Sequence, residues 1–113
     1  MFRLTETGEA GTLYNGVSDW LYEEEILAQS PAIFISSEAT RIAYISFNDT
    51  NVELSTMKRF SKEVEDEKRR ELKFRYPKAG SPNPEVSVFV QELRPDGVNE
   101  NIKVRPPPEV VDM

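Results

Sequence analysis

The sequence contains no cysteine and no histidine. Without thiols there is no disulfide framework and no thiolate nucleophile. Without imidazole there is neither a Cys/His zinc site nor a Ser-His-Asp triad built from this chain alone. Long apolar runs are missing as well: nothing approaches the roughly 18 apolar residues of a membrane helix, and residues 1–10, with Arg3, Glu6 and Glu9, read as neither a signal peptide nor an anchor. Basic charge is in deficit. Fourteen Lys and Arg face twenty Asp and Glu, a net charge of −6, which repels phosphate backbones and anionic surfaces and favours a basic partner. No nucleic-acid partner is expected, and no cofactor or metal. What is present is enough for a fold: one Trp, four Tyr and six Phe in 113 residues are too many for plain disorder, and the length allows one domain.

Strand-like pieces dominate the pattern. Residues 3–5 and 12–14 are short candidates, and Asn15-Gly16 is the dipeptide that most readily makes a tight hairpin turn. Residues 32–35 and 41–47 read as two strands joined by the polar stretch 36–40. The second of them, Ile42-Ala43-Tyr44-Ile45-Ser46-Phe47, is nearly apolar on both faces and needs cover on both. Asn48 to Asn51 is a polar turn. Residues 61–71 carry opposite charges at i,i+4, Lys62 with Asp66 and Glu65 with Arg69, which suits an exposed helix or a solvated loop. Leu72, Phe74 and Tyr76 alternate with Lys73 and Arg75, and Val86, Val88 and Val90 repeat at the same period, the mark of half-buried strands. Pro95-Asp96-Gly97 is a turn, residues 102–104 a last short strand, and Pro106-Pro107-Pro108 an extended stretch outside any sheet. The spacing of strands and turns fits a sandwich, a barrel or a propeller.

Asp19-Trp20-Leu21-Tyr22-Glu23-Glu24-Glu25-Ile26-Leu27 is the stretch that could carry chemistry. The Asp19 carboxylate is placed to cap a short helix over residues 20–27. At about 100° per residue, with Trp20 at 0°, Glu24 falls near 40° and Glu25 near 140°, beside Ala28 and Leu21, so two carboxylates project from an apolar sector. Such a pair repels itself, and an arriving ammonium relieves the repulsion with charge-assisted hydrogen bonds. The plainer alternative is that three Glu residues in a first turn complement the helix dipole, worth about 0.3 to 1 kcal/mol each. Asn48-Asp49-Thr50 likewise has two readings, an N-glycosylation acceptor or a simple turn.

In order, Asn15-Gly16-Val17-Ser18-Asp19-Trp20-Leu21-Tyr22-Glu23-Glu24-Glu25, Ile42-Ala43-Tyr44 with Phe47-Asn48-Asp49-Thr50, and Tyr76-Pro77-Lys78-Ala79-Gly80 with Asn83-Pro84 resemble the β-propeller domain of the dipeptidyl peptidase IV family. The likeness covers about residues 3–93 and a small portion of a full-length member. It implies a plasma-membrane glycoprotein on the extracellular side, homodimeric, whose propeller precedes an α/β-hydrolase domain with the catalytic Ser, Asp and His. By the same resemblance Glu24 and Glu25 grip the free amino terminus of a peptide substrate, and Asn48 is a glycosylation site facing the exterior. The family's stretch between the Asn-Asp-Thr turn and Tyr-Pro-Lys-Ala-Gly forms an arm used in dimerisation, and here it holds the highly charged residues 58–70.

No catalytic residue is expected in this chain, which lacks the hydrolase domain and the upstream Arg that helps hold the substrate carbonyl. The peptidase reading is accompanied by others: catalytically dead relatives that serve as auxiliary subunits of potassium channels, an independent acidic interaction module, and a partial gene product. Propellers close with at least four blades of roughly 40 to 50 residues. The fold expected is therefore mainly β, an incomplete β-propeller of about two blades with one short inserted helix. Residues 1–105 form the propeller region and 106–113 a Pro-rich tail. In an open piece of this kind, residues 41–47 are expected to lack covering neighbours and to be aggregation-prone.

Overall fold

The computed structural model describes residues 3–58, 71–97 and 100–111. Among the described residues seven strands run in chain order: β1 (Leu13–Asn15), β2 (Ile33–Ile35), β3 (Arg41–Asn48), β4 (Leu54–Lys58), β5 (Glu71–Arg75), β6 (Glu85–Glu92) and β7 (Asn101–Lys103). A π-helix, Tyr22–Leu27, lies between β1 and β2, and a four-residue helix α1, Pro108–Val111, follows β7. The architecture is mainly β, antiparallel throughout, with no closed barrel among the described residues.

Strand β3 is the axis of the fold. Its apolar run pairs with β6 along its whole length, from Arg41 opposite Glu92 to Asn48 opposite Glu85. Its other edge is shared by two short strands: β2 takes the first half, with Ile33 opposite Tyr44, and β1 the second, with Tyr14 opposite Phe47. Strand β7 closes the far side of β6. The backbone of residues 41–47 is thus covered on both sides, and the uncovered strand expected from the length does not occur. Burial follows from the double-sided apolar pattern, since Ile42 and Tyr44 fill one face and Phe47, on the opposite parity, fills the other. Tyr44 stacks on Phe89 with centroids 5.4 Å apart, and its hydroxyl accepts a hydrogen bond from Asn101 Nδ2 at 2.8 Å.

Asn15-Gly16 is not a hairpin turn. Gly16 has a φ of +71°, its amide donates to the Ile45 carbonyl at 2.8 Å and its carbonyl accepts from the Ala32 amide at 3.0 Å. It joins β1 to the line of β2 along one edge of β3. A Cβ there would stand 2.7 Å from Ile33 Cγ1, so the close approach of the Ile33 side chain, as well as the positive φ, requires glycine.

Residues 3–5 form no strand; instead the Leu4 carbonyl accepts from Gln91 Nε2 at 2.9 Å. The pair β4–β5, which falls between β3 and β6 in sequence, forms a separate two-stranded sheet. Leu72 and Phe74 lie on β5 as their alternation predicts, whereas β4, Leu-Ser-Thr-Met-Lys, carries little alternation of its own. The charged run 61–71 lies outside the described residues except for Glu71, which begins β5. Pro108 is helical rather than extended: it opens α1, where its fixed φ and missing amide cost nothing.

Candidate functional site

The acidic turn is a loop pinned at its base. Val17 bridges to Pro31, the Ser18 amide donates to the Ser30 carbonyl at 2.8 Å, and Ser18 Oγ donates to the Gln29 carbonyl at 3.0 Å. Asp19 starts the helical segment as its sequence position predicts. Its Oδ1 accepts the Tyr22 amide at 2.7 Å and its carbonyl accepts the Glu23 amide at 3.0 Å. The turn then widens to π geometry and stops at Leu27, with Ala28 left-handed at φ +52°. Tyr22 anchors it from below, its ring 4.8 Å from that of buried Phe47.

Tyr14, Ser18, Asp19, Trp20, Glu23 and Glu24 line a cleft of about 270 Å³. Glu24 therefore opens onto a concavity, together with Glu23 and beneath the half-exposed ring of Trp20. Glu25 is exposed on the next position of the same turn and is not part of the lining. Asn48, at the end of β3, is half-buried, and its Oδ1 accepts both the Thr50 amide at 3.0 Å and Thr50 Oγ1 at 2.6 Å. This Asx turn connects β3 to Asp49.

Asp49 is the residue that sequence pattern does not disclose. It is 1% exposed, Asp19 is 4% exposed, and the two are neighbours. Burial, then the charge of Asp19 and hydrogen bonding toward its side chain, push the Asp49 carboxyl up to about 7, against the opposing pull of the Arg75 guanidinium. Burial raises Tyr14 and Tyr22 as well, helped in both by Asp19 and in Tyr14 also by Asp49, so both phenols keep their protons at neutral pH. Arg75 Nη1 donates to the carbonyls of Thr50 at 3.2 Å and Val52 at 2.7 Å, fixing the turn that carries Asp49.

Chemically, the cleft offers carboxylates, a phenol that donates and an indole face. That set suits a cation with an apolar body, an ammonium donating charge-assisted hydrogen bonds to carboxylates and making a π contact with Trp20. Ser18, the hydroxyl at its wall, is engaged with a carbonyl, and the chain has no imidazole to activate it. Among the described residues no group of three Asp, Glu, His or Cys side chains could hold a metal ion, and no helix is long and apolar enough to cross a membrane.

Comparison with known proteins places this chain in a family. Residues 1–112 match the family described as "Dipeptidyl peptidase IV (DPP IV) N-terminal region". The chain is 38% identical over 111 residues to venom dipeptidyl peptidase 4 of Apis mellifera, covering 96% of this chain and 14% of that protein. It is 39% identical over 110 residues to dipeptidyl peptidase 4 of Felis catus, covering 93% and 14%. It is also 35% identical over 105 residues to inactive dipeptidyl peptidase 10 of Rattus norvegicus, covering 93% and 13%. The crystal structure of Porphyromonas gingivalis dipeptidyl peptidase 4 superposes with a TM-score of 0.74 at 23% identity, over 92% of this chain and 14% of that one. The chain spans about one seventh of the length of these relatives. With its mainly β, open-ended sheet and a family match over nearly its whole length, it is an incomplete propeller and belongs to the dipeptidyl peptidase IV family, as a part of the N-terminal region.

Proposed function

We propose that this region supplies the amino-terminus clamp of a dipeptidyl peptidase IV-like exopeptidase, with Glu24 and Glu25 gripping the protonated end of a peptide and no bond-breaking group of its own. The observation that carries this reading is the placement of Glu24 in an acidic, Trp-walled cleft on a turn pinned by Ser18 and Asp19. Glu23 shares that cleft, and Glu25, the next residue of the same turn, is exposed outside the lining. The relatives named dipeptidyl peptidase 4 support the substrate class, a peptide with a free amino terminus.

The test is a binding comparison. A free-amine Xaa-Pro peptide binds more tightly than its N-acetyl form, and Glu24→Gln with Glu25→Gln removes the difference. Equal affinity of the native chain for both peptides overturns the clamp. Glu23→Gln asks separately whether the clamp extends to the third carboxylate.

The likeness to inactive dipeptidyl peptidase 10 favours a second reading, a non-catalytic member such as a channel auxiliary subunit. Turnover of a fluorogenic Xaa-Pro substrate by the protein carrying this region separates the two. The proposed parent is membrane-anchored and homodimeric, glycosylated at Asn48, with residues 1–105 as its propeller portion and 106–113 as a Pro-rich tail.

A further inference from the structure

Two carboxyl groups that the amine clamp does not use meet at the cleft, whose lining includes Asp19. Asp49 and Asp19 are each more than nine-tenths buried and are neighbours. Two neighbouring carboxyls can bond each other only through a proton on one of them, since an ionised carboxylate only accepts. Asp49 Oδ1 has no hydrogen-bond partner among the described residues, while Asp19 Oδ1 is committed to the Tyr22 amide. Among the described residues, the titratable and charged groups facing the pair are Tyr14 from β1, Tyr22 from the π-helix, Glu23 and Glu24, which line the cleft with Asp19, and Arg75 from β5. Arg75, the cation among them, spends two hydrogen bonds on backbone carbonyls. Two adjacent carboxylates with so little compensation do not both stay ionised.

We propose that Asp19 and Asp49 hold one proton as a coupled pair and that a cation entering the cleft beside Asp19 displaces it to solvent, so that occupying the cleft releases a proton. The displacement step rests on the amine reading of the cleft; the shared proton does not. The step balances in charge: the monoanionic pair loses H⁺ to water and becomes a dianion, and the cation that now faces it carries the compensating positive charge. Asp19 is the point of contact because it lines the cleft, and Asp49 acts through it as a positioning residue. Linkage is reciprocal: affinity for a cation rises with pH across the titration of the pair, and a saturating cation lowers the midpoint of that titration.

The composition makes the measurement clean. With no histidine and no cysteine in the chain, the α-amino group is the one ordinary group that titrates near neutrality. Trp20, the sole tryptophan, directly follows Asp19 and lines the same cleft, so its fluorescence reports on the site. The full chain is titrated from pH 5 to 9 by Trp20 emission, with far-UV circular dichroism confirming that it stays folded. A transition near pH 7 is expected, and Asp49→Asn, whose amide can still donate to Asp19, is expected to abolish it. Asp19→Asn, which leaves Asp49 buried without its acidic neighbour, is expected to lower the midpoint and provides the second readout should Asp49→Asn fail to fold. A flat titration of the folded wild type, or a transition that Asp49→Asn leaves in place or Asp19→Asn leaves unmoved, overturns the shared proton. Adding a free-amine Xaa-Pro dipeptide at saturation is expected to move the midpoint down by at least half a pH unit, and the N-acetyl form to leave it in place. An unmoved midpoint, with the Asn-sensitive transition intact, overturns the displacement step while the shared proton stands.

Discussion

Phe74 lies against Trp20, ring centroids 5.2 Å apart and planes tilted by 42°. The contact joins β5, in the two-stranded sheet, to the wall of the acidic cleft, so one element steadies the other across a long stretch of sequence. Replacing Phe74 with Ala removes an aromatic pair worth about 0.5 to 1.5 kcal/mol beyond its buried area. Phe74→Ala is expected to lower stability by roughly 1 to 2 kcal/mol and to shift Trp20 emission to longer wavelength, read by urea unfolding and by the native spectrum. An unchanged spectrum would show that Trp20 does not depend on this strand.

Gly16 and Gly11 offer a controlled comparison. Both have positive φ, +71° and +82°, but a Cβ at Gly16 meets the Ile33 side chain at 2.7 Å, whereas at Gly11 it meets nothing within 4 Å. Gly11→Ala carries the backbone term alone, about 1 kcal/mol. Gly16→Ala adds the displacement of Ile33 from its place opposite Tyr44 and is expected to cost on the order of 3 kcal/mol in all. Midpoints of denaturant unfolding for the two variants test the difference; equal losses would mean that Ile33 swings aside freely.

Gly16 also shows what the sequence disclosed and what it withheld. Strands β5 and β6 were legible because their apolar residues repeat at the period of a pleated strand, β2 and β3 because short apolar runs are bounded by polar turns, and the Asp19 cap because capping is local. Asn15-Gly16 misleads because its preference for a tight turn is also local, whereas its role is set by a non-local fact, that β1 and β2 share one edge of β3. Glu24 could be found from helical spacing, but the π geometry changes the spacing and puts Glu23 in the cleft beside it. The Asp19–Asp49 pair could not be found at all: Asp49 sits in an ordinary polar turn, and only the return of β3 beside β1 brings its carboxyl beside Asp19.

Because the Asp49 carboxyl is raised in the folded state to about 7, stability has a definite dependence on pH. Between its unfolded value near 4 and its folded value, the native state binds a proton that the unfolded chain has released, so stability falls as pH rises through that window. Above the folded value both states are ionised there, and the contribution is flat. The slope is at most about 1.4 kcal/mol per pH unit, and Asp49→Asn is expected to flatten it. Thermal melts of the native chain and of the variant at pH 5, 6 and 7 check this; a native chain that gains stability on going from pH 5 to 7 would contradict it.

Arg75 tests the electrostatics of the pair from the other side. Its guanidinium pulls the Asp49 carboxyl down against burial and Asp19, so removing the charge raises the midpoint further. Arg75→Met keeps much of the side-chain volume but leaves the Thr50 and Val52 carbonyls without their donor, a loss of roughly 1 to 3 kcal/mol in stability. Arg75→Lys restores a point charge without the planar fork, so it is expected to recover most of the midpoint and only part of the stability. The two readouts therefore separate: the Trp20 titration follows charge at position 75, while the unfolding midpoint follows the hydrogen bonds that hold the Asp49 turn. If Met and Lys at this position give the same titration midpoint, the coupling between Arg75 and the carboxyl pair is mechanical, through the turn, and not electrostatic.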